Sequence, residues 1–318
     1  MNKRNAIRFA ALVVILLFLA VLLYFRFRPE EEPVQNLSPI CIQGLYPGGD
    51  RLWLVRGSPD HIPGEYELYA LAEDGTETYI APFPASQVIW NREREVFHYL
   101  AQTRLRTFDP ATEQEQTQPI QHEYLHLCTA EGETVFAQRE LYGTVAALSL
   151  SDASERELSV AGRVVAVEDG RLLVWDDASQ QLICHDYAAD AVIWRVDLPD
   201  HPLVCAIGGD LYLGQQSGGP LYRIPDFTQS GQLLETGVNA RPRAMADGGG
   251  YLVYALRLSS RDVELWALYP DGSRAEVGTW PGPHYEDEMA ITLAVYGGQV
   301  YCAVQAEEDW FCCPLPGA

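Results

Sequence analysis

Lysine is almost missing: Lys3 is the only one in 318 residues, and 22 Lys plus Arg stand against 44 Asp plus Glu, a net charge of −22. That scarcity nearly excludes mechanisms built on a catalytic or phosphate-binding lysine. It also removes the basic face that a nucleic-acid partner requires. No stretch beyond residue 28 keeps a helical period with caps, so helices should be nearly absent there. No nucleophile elbow, Walker loop, dinucleotide fingerprint or Cys-x-x-Cys pair occurs, and no cofactor is expected. Cysteine is sparse and odd in number, seven in all, which does not fit a fully paired disulfide framework. Cys128, Cys184 and Cys205 lie in apolar runs and read as small buried hydrophobes. Cys302 and Cys313 flank the turn AEED, and a hairpin centred there would set them opposite one another. Against these absences, 47% apolar and 11% aromatic content is enough to bury a large core and argues against disorder.

The longest uncharged run is at the start. Residues 9 to 25, FAALVVILLFLAVLLYF, are seventeen residues without a charge. With residues 6 to 8 they approach the ~30 Å hydrocarbon core of a bilayer. The run is long, ends in Tyr24-Phe25-Arg26-Phe27-Arg28 and has no small-x-small cleavage site, so it reads as an uncleaved signal anchor rather than a signal peptide. Lys3, Arg4 and Arg8 before it, against Arg26 and Arg28 after it, favour a cytoplasmic N-terminus and an extracytoplasmic remainder. The expected organisation is a cytoplasmic N-terminus and membrane anchor over 1–28, a Pro/Glu stalk over 29–39 and a folded domain over 40–318. The membrane is thus one partner, engaged through residues 6–25.

Repetition dominates the rest. An aliphatic–aromatic pair recurs seven times, at Leu52-Trp53, Val96-Phe97, Val135-Phe136, Val174-Trp175, Leu211-Tyr212, Val253-Tyr254 and Val300-Tyr301. Gly or acidic residues precede most of these pairs, as in GGDRLW, EGETVF and EDGRLLVW. A second short apolar strand follows each, and six of the seven repeats then turn at an acidic residue: Asp74, Asp109, Asp152, Asp186, Asp226 and Asp271. A period near 40 residues with room for four strands is that of a propeller blade. The fold class expected is therefore all-β, a seven-bladed β-propeller behind one N-terminal transmembrane helix. Six blades are the alternative, because the 47-residue spacing before Val300-Tyr301 leaves room for an insertion. The last repeat ends too early for an outer strand, so ring closure calls for an early strand within residues 33 to 38.

The pattern Gly-x-Leu-Tyr, Leu-Tyr-x-Ile/Leu, Asp-Gly resembles the blades of bacterial TolB-like propellers. It is similar also to uncharacterised membrane-anchored extracytoplasmic propellers. The resemblance covers the chain beyond residue 40; it implies a fold and an address, and carries no catalytic residue.

One catalytic pattern occurs by spelling: His122-Glu123-Tyr124-Leu125-His126 matches His-Glu-x-x-His. That motif needs a helix to bring both imidazoles to one zinc, whereas Leu125, Leu127 and Cys128 alternate into an expected strand. On a strand, positions i and i+4 lie ~13 Å apart. A metal site is not expected from it. His122, His201 and His284 fall in connections from one repeat to the next, with acidic neighbours Glu123, Asp200, Glu286 and Asp287. Such connections gather on one face of a propeller and offer a ligand-binding surface. The same residues are equally natural in ordinary exposed loops of an acidic chain. Trp280, His284 and Tyr285 in GTWPGPHYEDEM form either an aromatic platform for a sugar or peptide, or a long connection whose rings tuck against a blade. The function expected is a binding or scaffold module for a protein, peptide or glycan. The alternative is a hydrolase or lyase with a metal or acid/base site on that loop face.

Overall fold

A computed structural model describes residues 41–57, 66–83, 88–101, 103–258, 262–281, 290–304 and 309–316. The expected anchor, the stalk and the strand within 33 to 38 lie outside the described residues. No described helix is long and apolar enough to cross a membrane.

Seven antiparallel sheets follow one another along the chain, six of four strands and a last of three. Blades 1 to 7 span 41–83, 88–119, 126–161, 163–197, 202–240, 242–280 and 291–314. The ring has seven blades and not six. The long seventh spacing reflects a ten-residue connection, 281–290, between Trp280 and Ile291. In each blade the strands keep sequence order, so the recurring aliphatic–aromatic pair occupies the second strand every time.

That position explains the pair. A second strand has neighbours on both edges and a sheet packed on each face, so it reads as a continuous apolar run instead of an alternating one. Leu172, Leu173, Val174 and Trp175 are all buried. Leu172 and Val174 pack toward blade 3, Leu173 and Trp175 toward blade 5. The outer strand of blade 2, Gln114–Pro119, is by contrast mostly exposed. Seven apolar clusters result, one in each seam between neighbouring blades.

The acidic turns between third and fourth strands are Asx turns in blades 1, 2, 3, 4 and 6. Asp74 Oδ1 accepts from the Thr76 N–H at 2.9 Å, Asp109 Oδ1 from Ala111 at 2.9 Å, Asp152 Oδ1 from Ser154 at 3.0 Å and Asp271 Oδ1 from Ser273 at 2.9 Å. Blades 3 and 4 are joined by Gly162 alone, at φ +132°, where a Cβ would stand 2.5 Å from the Trp175 carbonyl oxygen. Blade 7 meets blade 1 through the Trp310 indole N–H, which donates to Glu77 Oε1 at 3.0 Å, and through the Tyr296 hydroxyl on the Asp50 carbonyl.

The seventh blade corrects one expectation. Cys302 stands opposite Phe311, and Cys313 opposite Val300, so Cys302 and Cys313 are not cross-strand partners. The register runs two residues off a hairpin centred on AEED. Cys128, Cys184, Cys205, Cys302, Cys312 and Cys313 are free thiols, and burial pushes the first three up to about 12.

Candidate functional site

Antiparallel order fixes two faces. One, the turn face, carries the turns joining first to second and third to fourth strands. The other, the connection face, carries the second-to-third turns and the links between blades. The sequence pointed to the connection face, and the structure gives its residues separate surroundings.

His122 is exposed, with Nδ1 2.8 Å from Glu155 Oε2; Glu155 also takes the Tyr124 hydroxyl at 2.9 Å. Glu123 and Leu125 are exposed, and the His-Glu-x-x-His run spans a loop and the start of the strand His126–Glu131, not a helix. His201 lies edge-on to Trp175 at 6.1 Å between ring centroids, with both ring nitrogens buried and without a hydrogen-bond partner. Burial in this apolar seam, with Arg163 nearby, holds its imidazole below the usual range. Trp280 stacks on Phe311 at 6.2 Å and 12°, against the blade 6–7 cluster, the packing alternative for that ring. His284, Tyr285, Glu286 and Asp287 lie outside the described residues.

A second constellation has the right atoms in the wrong order. Ser159 Oγ approaches His185 Nε2 at 3.3 Å, and Asp190 Oδ1 approaches the same Nε2 at 3.1 Å. A charge relay needs serine and carboxylate on opposite ring nitrogens; here Nδ1 is buried with no partner. The cluster ties blade 3 to blade 4. His98 does the same for blades 2 and 3: its Nδ1 meets Thr107 Oγ1 at 2.9 Å, its Nε2 meets Asn91 Nδ2 at 3.3 Å, and Asn91 donates on to the Gly132 carbonyl at 2.9 Å.

Two cavities lie on the turn face, around the axis. One of about 410 Å³ is lined by Arg92, Glu93, Glu131, Glu168, Asp169 and Asp247, from blades 2, 3, 4 and 6, with Gly208 of blade 5. Another of about 620 Å³ shares Arg92 and runs on to Glu95, Asp50, Glu73 and Tyr296 in blades 1, 2 and 7. Together they touch all seven blades. All but Glu73, which sits in the third-to-fourth turn of blade 1, arrive by one rule: each ends a first strand or sits in the turn after it, so the ring brings it to the axis.

These turns brace one another. Glu95 Oε1 accepts from Gly49 N–H at 2.6 Å, Arg94 pairs with Glu133 at 3.0 Å, and Glu131 Oε2 accepts from Gly170 N–H at 3.1 Å and from the Tyr187 hydroxyl at 2.8 Å. Burial raises the Glu131 carboxyl above its ordinary value, and Glu93 and Asp169 add to the rise. Glu168 is raised by burial too, and by Asp169, Glu131 and Glu93, with Arg92 opposing. Two carboxyls at the mouth thus ionise less readily than ordinary ones. A cation arriving at the mouth would relieve both. Among the described residues, no group of His, Cys, Asp and Glu has the spacing to hold a metal ion.

Sequence reasoning missed this ring. Its trace was in the acidic residues before each aliphatic–aromatic pair, EGET at 131–134 and EDGR at 168–171, which read as turn formers when taken one at a time.

Fold and site together define a seven-bladed β-propeller with a carboxylate-lined axial mouth. No family model matches the chain, and no curated protein matches it. Solved structures do. Hsv2 of Kluyveromyces lactis aligns at 10% identity over 87% of this chain and 98% of that one, TM-score 0.58. BamB from Moraxella catarrhalis aligns at 11% identity over 86% and 94%, TM-score 0.50. PorZ, an essential surface component of the type-IX secretion system of Porphyromonas gingivalis, aligns at 12% identity over 88% of this chain but 38% of its own length, TM-score 0.50. At such identities the likeness is one of fold.

Proposed function

We propose that the chain is a membrane-anchored, extracytoplasmic propeller that binds a protein or peptide partner through cationic groups presented to the axial mouth. The mouth itself carries this reading: side chains from separate blades converge on one cavity, and burial raises two of the carboxyls that line it, Glu131 and Glu168. The overall charge of −22 steers a cationic partner in and repels an anionic one.

Hexa-arginine titrated onto the full chain in detergent is the direct test. Changing Glu131→Gln with Glu168→Gln should weaken binding about tenfold, or ~1.4 kcal/mol. The exposed pair Glu113→Gln and Glu235→Gln should change it little. Binding by the unchanged chain should also weaken on acidification, beginning above the ordinary carboxylate range, because protonation neutralises the two raised groups. Equal affinity in both double variants would remove the mouth from the reading.

The address rests on the 9–25 run and the basic residues before it. Alkaline phosphatase fused behind the propeller should be active in intact cells, and a fusion at residue 5 inactive. The reverse pattern would put the propeller in the cytoplasm.

A further inference from the structure

Blade 3 carries a different kind of surface on its connection face. The Leu125 N–H donates to the Gln138 carbonyl at 2.9 Å, setting residues 121–125 beside the turn that follows Gln138. On these two adjoining segments Leu125 is 62% exposed, Leu141 59% and Tyr142 46%. One exposed leucine is ordinary; three large apolar side chains on neighbouring loops form a patch. Tyr142 also sits at φ +62°, in the left-handed region that a bulky residue rarely adopts.

The turn that holds this strain is buttressed. Gly143 N–H donates to the Glu140 carbonyl at 3.0 Å. Beneath it the buried Gln138 amide donates to the carbonyls of Gly143 at 2.7 Å and Gly162 at 2.8 Å, and its oxygen takes the Cys128 thiol at 3.4 Å. The Arg139 guanidinium lies 5.9 Å from the Tyr124 ring centre and pairs with Glu157 at 3.2 Å. A tyrosine pushed into solvent by a strained backbone, on a fully bonded base, is organised before any partner arrives.

We propose that Leu125, Leu141 and Tyr142 form a docking surface for a protein segment that presents apolar side chains flanked by Lys or Arg. The proposal rests on the reading of the chain as a binding module, but uses the face opposite the mouth. Charge selects the occupant. The exposed carboxylates Glu123 and Glu140 flank the patch, while Arg139 is already paired with Glu157. A second copy would bring its own −22, and an anionic bilayer surface would be repelled likewise. A cationic protein segment satisfies both the apolar centre and the acidic flanks.

The experiment is photo-cross-linking in cells making the full chain, with p-benzoylphenylalanine in place of Leu141, Tyr142 or, as a control, Ile193 on the outer strand of blade 4, which is 39% exposed. Positions 141 and 142 should give the same discrete protein adduct and position 193 should not. The partner peptide, read by mass spectrometry, should carry Lys or Arg beside apolar residues. Glu123→Lys with Glu140→Lys should cut the adduct at least tenfold without moving the thermal midpoint. Glu131→Gln with Glu168→Gln should leave it intact. Loss of the adduct in that last variant would assign the partner to the mouth and overturn this site. So would adducts only with a second copy or with lipid, the same adduct from position 193, no adduct at all, or indifference to the charge reversal.

Discussion

Lowering the pH from 7 to 4 is expected to cost the folded propeller about 3 kcal/mol through His98 alone. Burial, with Arg94 nearby, pulls this imidazole from 6.5 to about 4. The unfolded chain therefore takes up the proton first as the pH falls. Stability is lost progressively from about 6.5 downward and the loss levels off near 4. His185, lowered by burial against the opposing pull of Asp190, acts in the same direction. Glu131 and Glu168 act the other way, since a raised carboxyl favours the folded state in acid. Denaturant midpoints at pH 7, 5.5 and 4 test the balance. His98→Gln should flatten the fall over that range while lowering stability at pH 7. A variant with the unchanged slope would show that His98 is not the group being titrated.

The second large effect is expected at Trp175. Its ring is buried in the seam between blades 4 and 5, among Leu173, Leu211 and Leu213, so Trp175→Ala should cost about 3–5 kcal/mol. The indole N–H, however, finds no acceptor there. Trp175→Phe removes an unpaired buried donor along with part of the ring, and the two changes oppose each other. Phenylalanine should therefore cost well under half of what alanine does. Denaturation of the two variants decides it: equal losses would mean that the indole N–H is bonded in solution.

Much of the ring was legible because its signal is local. A second strand covered on both faces has to be apolar along its length, so Leu52-Trp53 and its six counterparts stand out in the chain. The turn aspartates were equally visible, since an Asx turn is made within three residues. The mouth was not, because Glu93 and Asp247 approach each other only after the ring has turned through the blades between them. Each looks like an ordinary turn residue in its own repeat. His122 shows the same limit on a smaller scale. Its sequence neighbour Glu123 suggested an acidic partner, and the carboxylate it meets is Glu155, 33 positions along. For Cys302 and Cys313 the repeat gave the strands, but a two-residue register choice in the hairpin lay beyond it.

The seam between blades 7 and 1 also sets an order of events in folding. Its bonds, Tyr296 to Asp50 and Trp310 to Glu77, join residues 246 and 233 positions apart, whereas Asn91 reaches across its seam over 41 and Arg94 over 39. By loop-closure entropy alone, bringing such distant ends together costs about 1.5 kcal/mol more than forming a neighbouring seam. Blades can therefore assemble one upon the next as the chain emerges, each guided by the one before. The last seam forms only when the whole arc already exists, and until then the apolar faces of the first and seventh blades stand open to any chain that meets them.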